Sequence, residues 1–341
     1  MAVDSTSPIA ASLLRWYDRH ARDLPWRILP GRNITPDPYR VWMSEIMLQQ
    51  TTVATVRERF AQFVSRWPTV VDLAAAADSD VLAAWAGLGY YARARNLLAC
   101  ARAVVERHGG IFPQDEDALR ALPGIGPYTA AAIAAFAYGH RAVIVDGNVE
   151  RVVSRLRAID TPLPAAKANI YDAMDAMTPA HRAGDFAQAM MDLASAVCAP
   201  KRTNCLICPL QDDCAARRAG DPLRFPLKAA RKQRPVRHGE VWWVERDGAV
   251  LLVRRPDKGM LGGMRGLPGS GWIDGAGSDV ADVTHVFTHF RLTLDVARRT
   301  SAPDTVAMEA STWWPIDRLH EAGLPTVFAK AAKLAMSRRD A

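Results

Sequence analysis

The stretch Leu122-Pro-Gly-Ile-Gly-Pro-Tyr-Thr-Ala130 sets two glycines in a tight turn ahead of a run of small residues, Thr129 to Ala137. The run predicts a helix, and the turn predicts backbone N–H groups left open at its N-terminus. Those groups, with the helix dipole, can hold a phosphate without reading base identity. Glycine-proline turns before helices commonly serve only as connections. Here Leu119 and Leu122 before the turn and Ile125 within it supply apolar contacts that would pack a preceding helix against the following one. The expected unit is two helices joined by a phosphate-facing hairpin, with Gly124 and Gly126 as the candidate contacts to a phosphate backbone.

Outward from this hairpin, residues 9 to about 220 carry alanine-rich segments with apolar residues at three- and four-residue spacing, broken by proline- or glycine-containing turns. That predicts an all-α domain. From Glu240 the pattern changes. Val241-Trp-Trp-Val244 and Ala249-Val-Leu-Leu-Val253 flank Asp247-Gly248, a strong hairpin signal, and Phe290 to Ala297 alternates as a strand does. The boundaries expected are a helical domain over 1–223, a basic linker over 224–238 and an α+β domain over 239–341. In the linker Arg224, Lys228, Arg231, Lys232, Arg234 and Arg237 meet no acidic residue. A solvated tether is its ordinary reading, and a phosphate backbone could lie along it.

A length of 341 residues and 49% hydrophobic content fit two folded cores and exclude a disordered chain. No apolar run is long enough for a membrane span, and Met1 to Ser7 lacks the regions of an export signal, so a cytoplasmic protein is expected. A formal charge of +7 favours polyanion partners, since each cation that neutralises a phosphate releases a counterion.

Four of the five cysteines fall in Cys198-x6-Cys205-x2-Cys208-x5-Cys214, with Cys100 apart. A disulfide framework is disfavoured by that distribution. So tight a thiolate set can close around one metal centre, and the spacing suits tetrahedral zinc and an iron–sulfur cluster equally. Two acids stand out as well. Glu45 sits among Trp42, Met43, Ile46, Met47 and Leu48 in a helix begun by Asp37-Pro38. If buried there, it would hold a proton near neutral pH and could donate it as a general acid. If it occupies the exposed strip of an amphipathic helix, it is an ordinary surface acid. Asp146 follows the apolar run Ala142-Val-Ile-Val145 and precedes a new helical pattern. Helix capping is its simplest role, yet the junction would also bring it to the hairpin's end of the helical core. Two carboxylates in unlike surroundings can divide the work, one donating a proton and the other stabilising positive charge.

Five motifs in order resemble one family. They are Ser44-Glu-Ile-Met-Leu-Gln-Gln-Thr51, Gly87-Leu-Gly-Tyr-Tyr-Ala-Arg-Ala-Arg-Asn96, the Leu122 turn, Val145-Asp-Gly-Asn-Val149 and the cysteine spacing. The family is that of the adenine DNA glycosylases of the MutY type. The resemblance implies an all-α helix–hairpin–helix glycosylase domain with a [4Fe–4S] module at 198–214, held by Cys198, Cys205, Cys208 and Cys214. A Nudix-like α+β domain would follow. It also implies a monomer that acts on double-stranded DNA, flips out adenine mispaired with 8-oxoguanine or guanine, and hydrolyses the glycosidic bond.

By the same resemblance Glu45 protonates adenine N7 and assists the water, while Asp146 stabilises the oxocarbenium-like sugar. Tyr128 and Asn148 position the reacting groups, and Arg27 and Asp192 line the base pocket. Gln50 and Tyr90 fill and wedge the stack, and Thr288 and His289 read 8-oxoguanine. Endonuclease III-type lyases carry a lysine where this chain has Tyr128, and a tyrosine cannot form their Schiff base. Efficient strand cutting is therefore not expected. The Nudix-like domain lacks the glutamate-rich helix that holds Mg²⁺, offering only Asp274, Asp279 and Asp282 between 270 and 284. Arg265-Gly266 and Glu150 also depart from the family pattern.

Overall fold

The computed structural model describes residues 7–85, 87–229, 234–256, 259–275, 281–287, 289–301 and 311–338. The chain divides into two compact units, Met1–Ala229 and Ala230–Ala341.

The first unit is helical: α1 Pro8–His20, α2 Pro38–Leu48, α3 Val53–Arg66, α4 Val70–Ala75, α5 Asp78–Ala84, α6 Ala92–His108, α7 Glu116–Arg120, α8 Pro127–Tyr138, α9 Gly147–Arg157, α10 Lys167–Met177, α11 Ala183–Ala196 and α12 Ala215–Arg218. Its buried side chains form two cores. One gathers α2 to α8 around Trp42, Met43, Phe60, Phe63, Trp85 and Leu97. The other joins α1 to α9, α10 and α11 around Leu13, Tyr17, Val153, Ile170, Met174 and Phe186. A small alanine-rich cluster, with Ala131, Ala132 and Ala135 of α8 against Ala187 of α11, connects them. Helix α8 is buried nearly all round, from Thr129 to Ala135 and at Ala137, which its small side chains permit. Gly184 shows how close the helices come, since a Cβ there would lie 2.5 Å from the Ala135 carbonyl oxygen.

Helices α7 and α8 flank the expected hairpin. Asp115 caps α7 by accepting from Ala118 N, and Leu119, Leu122 and Ile125 are buried beneath the turn. Gly124 has φ +75°, and a Cβ on it would meet the Asn96 Cβ at 2.7 Å. Gly126 caps α8 with an extended backbone, and a Cβ there would meet nothing within 4 Å.

The second unit is a mixed sheet of β1 Val236–Arg246, β2 Ala249–Arg254, β3 Arg265–Gly266, β4 Ile273–Asp274, β5 Val283–Val286, β6 Arg291–Arg299 and β7 Ser311–Pro315, with α13 Thr326–Ser337. The order is β3-β2-β1-β6-β5, with β4 on β1 and β7 on β2. Strands β1 and β6 run parallel, and the other pairs are antiparallel. Arg246 pairs with Ala249, so Asp247-Gly248 is the two-residue turn, with φ of +49° and +71° as a type I′ hairpin requires. Helix α13 covers one face through Val327, Phe328 and Ala331.

The basic stretch 224–238 is not a free tether along its length. Leu227 O accepts from Leu163 N, Ala229 N donates to Leu163 O, and β1 already begins at Val236. Arg231 and Lys232 lie outside the described residues. Between β4 and β5 the described residues form no helix. Asp274 pairs with Arg237 and Asp282 with Arg338, and Asp279 lies outside the description. Arg265 lies over the Trp314 ring and donates to Ala322 O, a packing role within the sheet.

The two hairpin glycines should respond differently to substitution. Gly124→Ala adds a Cβ where the backbone disfavours one and Asn96 blocks it, and is expected to lower stability by about 1–3 kcal/mol. Gly126→Ala should stay within about 0.5 kcal/mol. Denaturant unfolding of the two variants checks this, and equal losses would contradict it.

Candidate active site

A cavity of about 540 Å³ opens in the helical unit and is lined by Arg27, Glu45, Gln50, Tyr128, Asp146 and Asn148, among others. Helix α2 delivers Glu45. Asp37 caps the helix through Tyr39 N, and Val41, Trp42, Met43, Ile46 and Met47 fix it in the core. Glu45 is therefore buried, 8% exposed, despite its charge. Loss of solvent pushes its pKa up to about 7; the Tyr128 hydroxyl, which donates a hydrogen bond to it, and the nearby Arg27 charge oppose that rise, and Asp146 adds to it. The surface reading of Glu45 is thereby excluded. Burial beside Glu45 and Asp146 pushes the Tyr128 hydroxyl far up in turn, so it stays a donor.

Asp146 sits at the N-terminus of α9 and caps it. Its Oδ1 accepts from Asn148 N at 2.9 Å and Val149 N at 2.7 Å, and its Oδ2 accepts from Asn148 Nδ2 at 2.8 Å. Capping and a place in the cavity wall thus coincide in one carboxylate. Three N–H donors and a helix N-terminus suit an acceptor carrying negative charge. Asn148 is fixed from behind, where its Oδ1 accepts from Arg151 Nη2 at 3.2 Å. Arg151 Nε in turn donates to Cys198 O at 3.0 Å. Glu150, one of the departures from the family pattern, is turned to an ion pair with Lys167 at 3.7 Å.

Arg27 lines the cavity as expected, but Asp192 does not. Its carboxylate is wholly buried and taken up by Arg22 N at 3.0 Å, Arg22 Nε at 2.5 Å and Arg27 Nη1 at 2.8 Å. It therefore anchors Arg27 from behind. The wall position belongs to Gln188, one helical turn earlier on α11, which sequence reasoning passed over. Residues four apart on a helix share a face, so spacing could not separate them. Gln50 reaches the cavity, whereas Tyr90 is 60% exposed and is not among the lining residues. Both hold left-handed backbones, with φ +57° and +48°.

The four clustered cysteines are free of disulfides and line one small pocket with Arg155. Arg155 Nη1 donates to Cys198 Sγ at 3.2 Å and to the Cys198 and Ala199 carbonyls. Among the described residues no three His, Cys, Asp or Glu side chains are set to hold a single ion. The four thiols of one pocket, with the Arg155 cation beside Cys198, are a donor set whose chemistry suits an iron–sulfur cluster.

In the second unit His289 is exposed in a turn closed by Phe287 N donating to Phe290 O at 2.9 Å, and Thr288 lies outside the described residues. Trp272, Phe287 and Phe290 pack together beneath that turn, with Arg237 over the Phe290 ring at 4.6 Å.

The chain is similar to several known proteins. Residues 43–171 match the family model of the HhH-GPD superfamily base excision DNA repair proteins, and residues 240–334 match that of the NUDIX domain. The human adenine DNA glycosylase is 33% identical over 97% of this chain and 74% of its own. That of Mycobacterium tuberculosis is 42% identical over 62% of this chain and 68% of its own. Among solved structures, a thermostable thymine-DNA glycosylase is similar with a TM-score of 0.56 and 27% identity, covering 62% of this chain and 95% of that one. A trapped endonuclease III–DNA covalent intermediate shares the fold, with a TM-score of 0.51 and 21% identity over 62% of this chain and 94% of that one.

Burial of Glu45 predicts a pH-dependent cost. A carboxyl whose folded pKa exceeds its unfolded value stabilises the fold while protonated. That contribution is complete below about pH 4.5 and is lost as pH rises through about 7, a swing of about 3 kcal/mol. Glu45→Gln keeps a neutral group of the same shape. Its stability relative to the native chain should therefore rise between about pH 5 and pH 8. Thermal melts across that range check this, and a difference independent of pH would contradict it.

Proposed function

The chain belongs to the adenine DNA glycosylase family, and from that premise we propose that it removes adenine mispaired with 8-oxoguanine or guanine by hydrolysis, without efficient strand cutting. As a DNA glycosylase it cleaves N-glycosyl bonds in base-excision repair. The observation that carries the finer reading is the pairing of a buried, proton-holding Glu45 with an amide-held Asp146 in one cavity.

In this reading adenine leaves the duplex and enters the cavity, at an extrusion cost of a few kcal/mol that a mismatch lowers. Glu45 gives its proton to adenine N7. The C1′–N9 bond then breaks, the base carries that proton away, and the sugar is left as an oxocarbenium-like cation. Asp146 faces this positive charge and stabilises it. Glu45, now a carboxylate, takes a proton from the water that adds at C1′. Tyr128 and Asn148 keep the two carboxyl groups in place, and Gln188 and Arg27 meet the base from the wall. Tyr128 offers no amine for a Schiff base, which favours hydrolysis over lyase chemistry.

Gly124 and Gly126 hold phosphate through the hairpin amides, and Gln50 and Tyr90 enter the base stack. Residues 1–223 carry the chemistry, and residues 239–341 read the lesion through the turn at Thr288 and His289. Cys198, Cys205, Cys208 and Cys214 are assigned to a [4Fe–4S] cluster, a structural and redox-capable group when bound. Here Arg155 and Arg151 draw the cysteine segment to α9, whose first residues hold the Asp146 carboxylate.

Incubation with a duplex carrying adenine opposite 8-oxoguanine should release free adenine, with a strand break that largely waits for alkali. Glu45→Gln should slow release by about 100-fold or more. No release from any adenine mispair would overturn the proposal. Separately, iron and sulfide analysis should find about four of each per chain, and Cys208→Ser should lower both. Stoichiometric zinc in place of iron would contradict the cluster.

A further inference from the structure

Two loops carry exposed residues in the left-handed backbone region, Gln50 after α2, which reaches the cavity, and Tyr90 before α6. Such conformations persist in non-glycine residues only where their surroundings enforce them. One buried side chain touches both loops. Arg93, in the first turn of α6 and 8% exposed, sends Nη1 to Ile46 O at 3.0 Å and Met47 O at 2.9 Å. Its Nη2 reaches Thr51 Oγ1 at 3.0 Å and Leu88 O at 2.7 Å, with Gly89 O at 3.3 Å. Its guanidinium lies 5.2 Å from the Trp85 ring and 5.6 Å from the Tyr90 ring. Nε finds no partner. A cation suits the C-terminal carbonyls of α2 but opposes the N-terminus of α6, so helix electrostatics alone do not account for it.

We infer that Arg93 is the positioning residue that locks the Gln50 and Tyr90 loops at a fixed spacing, so that both side chains meet the DNA as one preformed wedge. The fork is what the place requires. Two nitrogens must satisfy carbonyls from α2 and from the Tyr90 loop at once, which the single ammonium of a lysine cannot span. The same nitrogen that grips Ile46 and Met47 holds the end of α2 next to Glu45, so wedge and acid share one reference point. Pre-ordering the loops removes their ordering entropy from the step that opens the stack. Arg93 touches neither base nor sugar in this scheme. The inference rests on the reading that Gln50 and Tyr90 enter the stack.

The test follows 2-aminopurine fluorescence beside the target adenine, the single-turnover rate at saturating enzyme, and duplex affinity, for the native chain, Arg93→Lys, Thr51→Val and Tyr90→Ala. A second substrate keeps adenine opposite 8-oxoguanine but flanks the adenine with a one-nucleotide gap, where extrusion costs little. Arg93→Lys should keep duplex affinity within about threefold, since phosphate contacts are untouched. It should blunt the fluorescence rise, slow the mispaired substrate by roughly 30-fold or more, and recover to within several-fold of native on the gapped one. Thr51→Val, which removes one acceptor, should shift the same readouts in the same direction by less and serves if Arg93→Lys does not fold. Equal slowing on both substrates with a native fluorescence rise, or native behaviour throughout, would overturn the inference. If Tyr90→Ala unstacks and cleaves like the native chain, the wedge reading itself fails, whatever the Arg93 variants do.

Discussion

The arrangement depends on one desolvated carboxyl group. Glu45 is shut among Trp42, Met43, Ile46 and Met47 with the Tyr128 hydroxyl and the Arg27 charge as its polar company. Burial of this kind is costly, and the surrounding helices carry the cost. The α2 to α8 core fixes one wall, the α1 and α9 to α11 core fixes the other, and the alanines of α8 and α11 join them. The cavity lies where the two cores meet, and neither lobe alone supplies both acids.

The two acids differ because their surroundings differ. Glu45 has little hydrogen bonding to favour its charged form, whereas Asp146 receives three N–H donors at the start of α9. Behind Asp146 the chain Asn148, Arg151, Cys198 runs through hydrogen bonds to the cysteine segment. The cysteine segment and the cavity are thus tied together through the first turns of α9. Arginine recurs at such joints. Arg22 and Arg27 hold Asp192, Arg155 holds Cys198, and Arg93 spreads both terminal nitrogens over the two loops, a fork that a point charge could not replace.

Much of the fold was legible locally. Asp247-Gly248 demanded its type I′ turn, the small residues after Gly126 demanded a buried helix, and the cysteine spacing demanded a common pocket. The site was legible in part. Glu45 and Asp146 stood out by context, but which face of α2 meets Tyr128, 83 positions later, is decided by packing and not by periodicity. Asp192 and Gln188 were confused for a related reason. They share one helix face, and only the path of residues 22–27 turns Asp192 into an anchor and leaves Gln188 at the wall. Arg93 lay within the Gly87–Asn96 motif, but nothing there marked its role, because its five acceptors are mostly carbonyl oxygens, which no residue type advertises.

Direct titration of Glu45 tests the central claim. Difference infrared spectroscopy of the native chain against Glu45→Gln isolates the protonated carboxyl band of this one side chain as pH is raised. The account predicts a band that persists past the ordinary carboxylate range and fades with a midpoint at about 7. A midpoint near the free glutamic acid value of about 4.3 would mean that the side chain is charged and hydrated at neutral pH, and would contradict it.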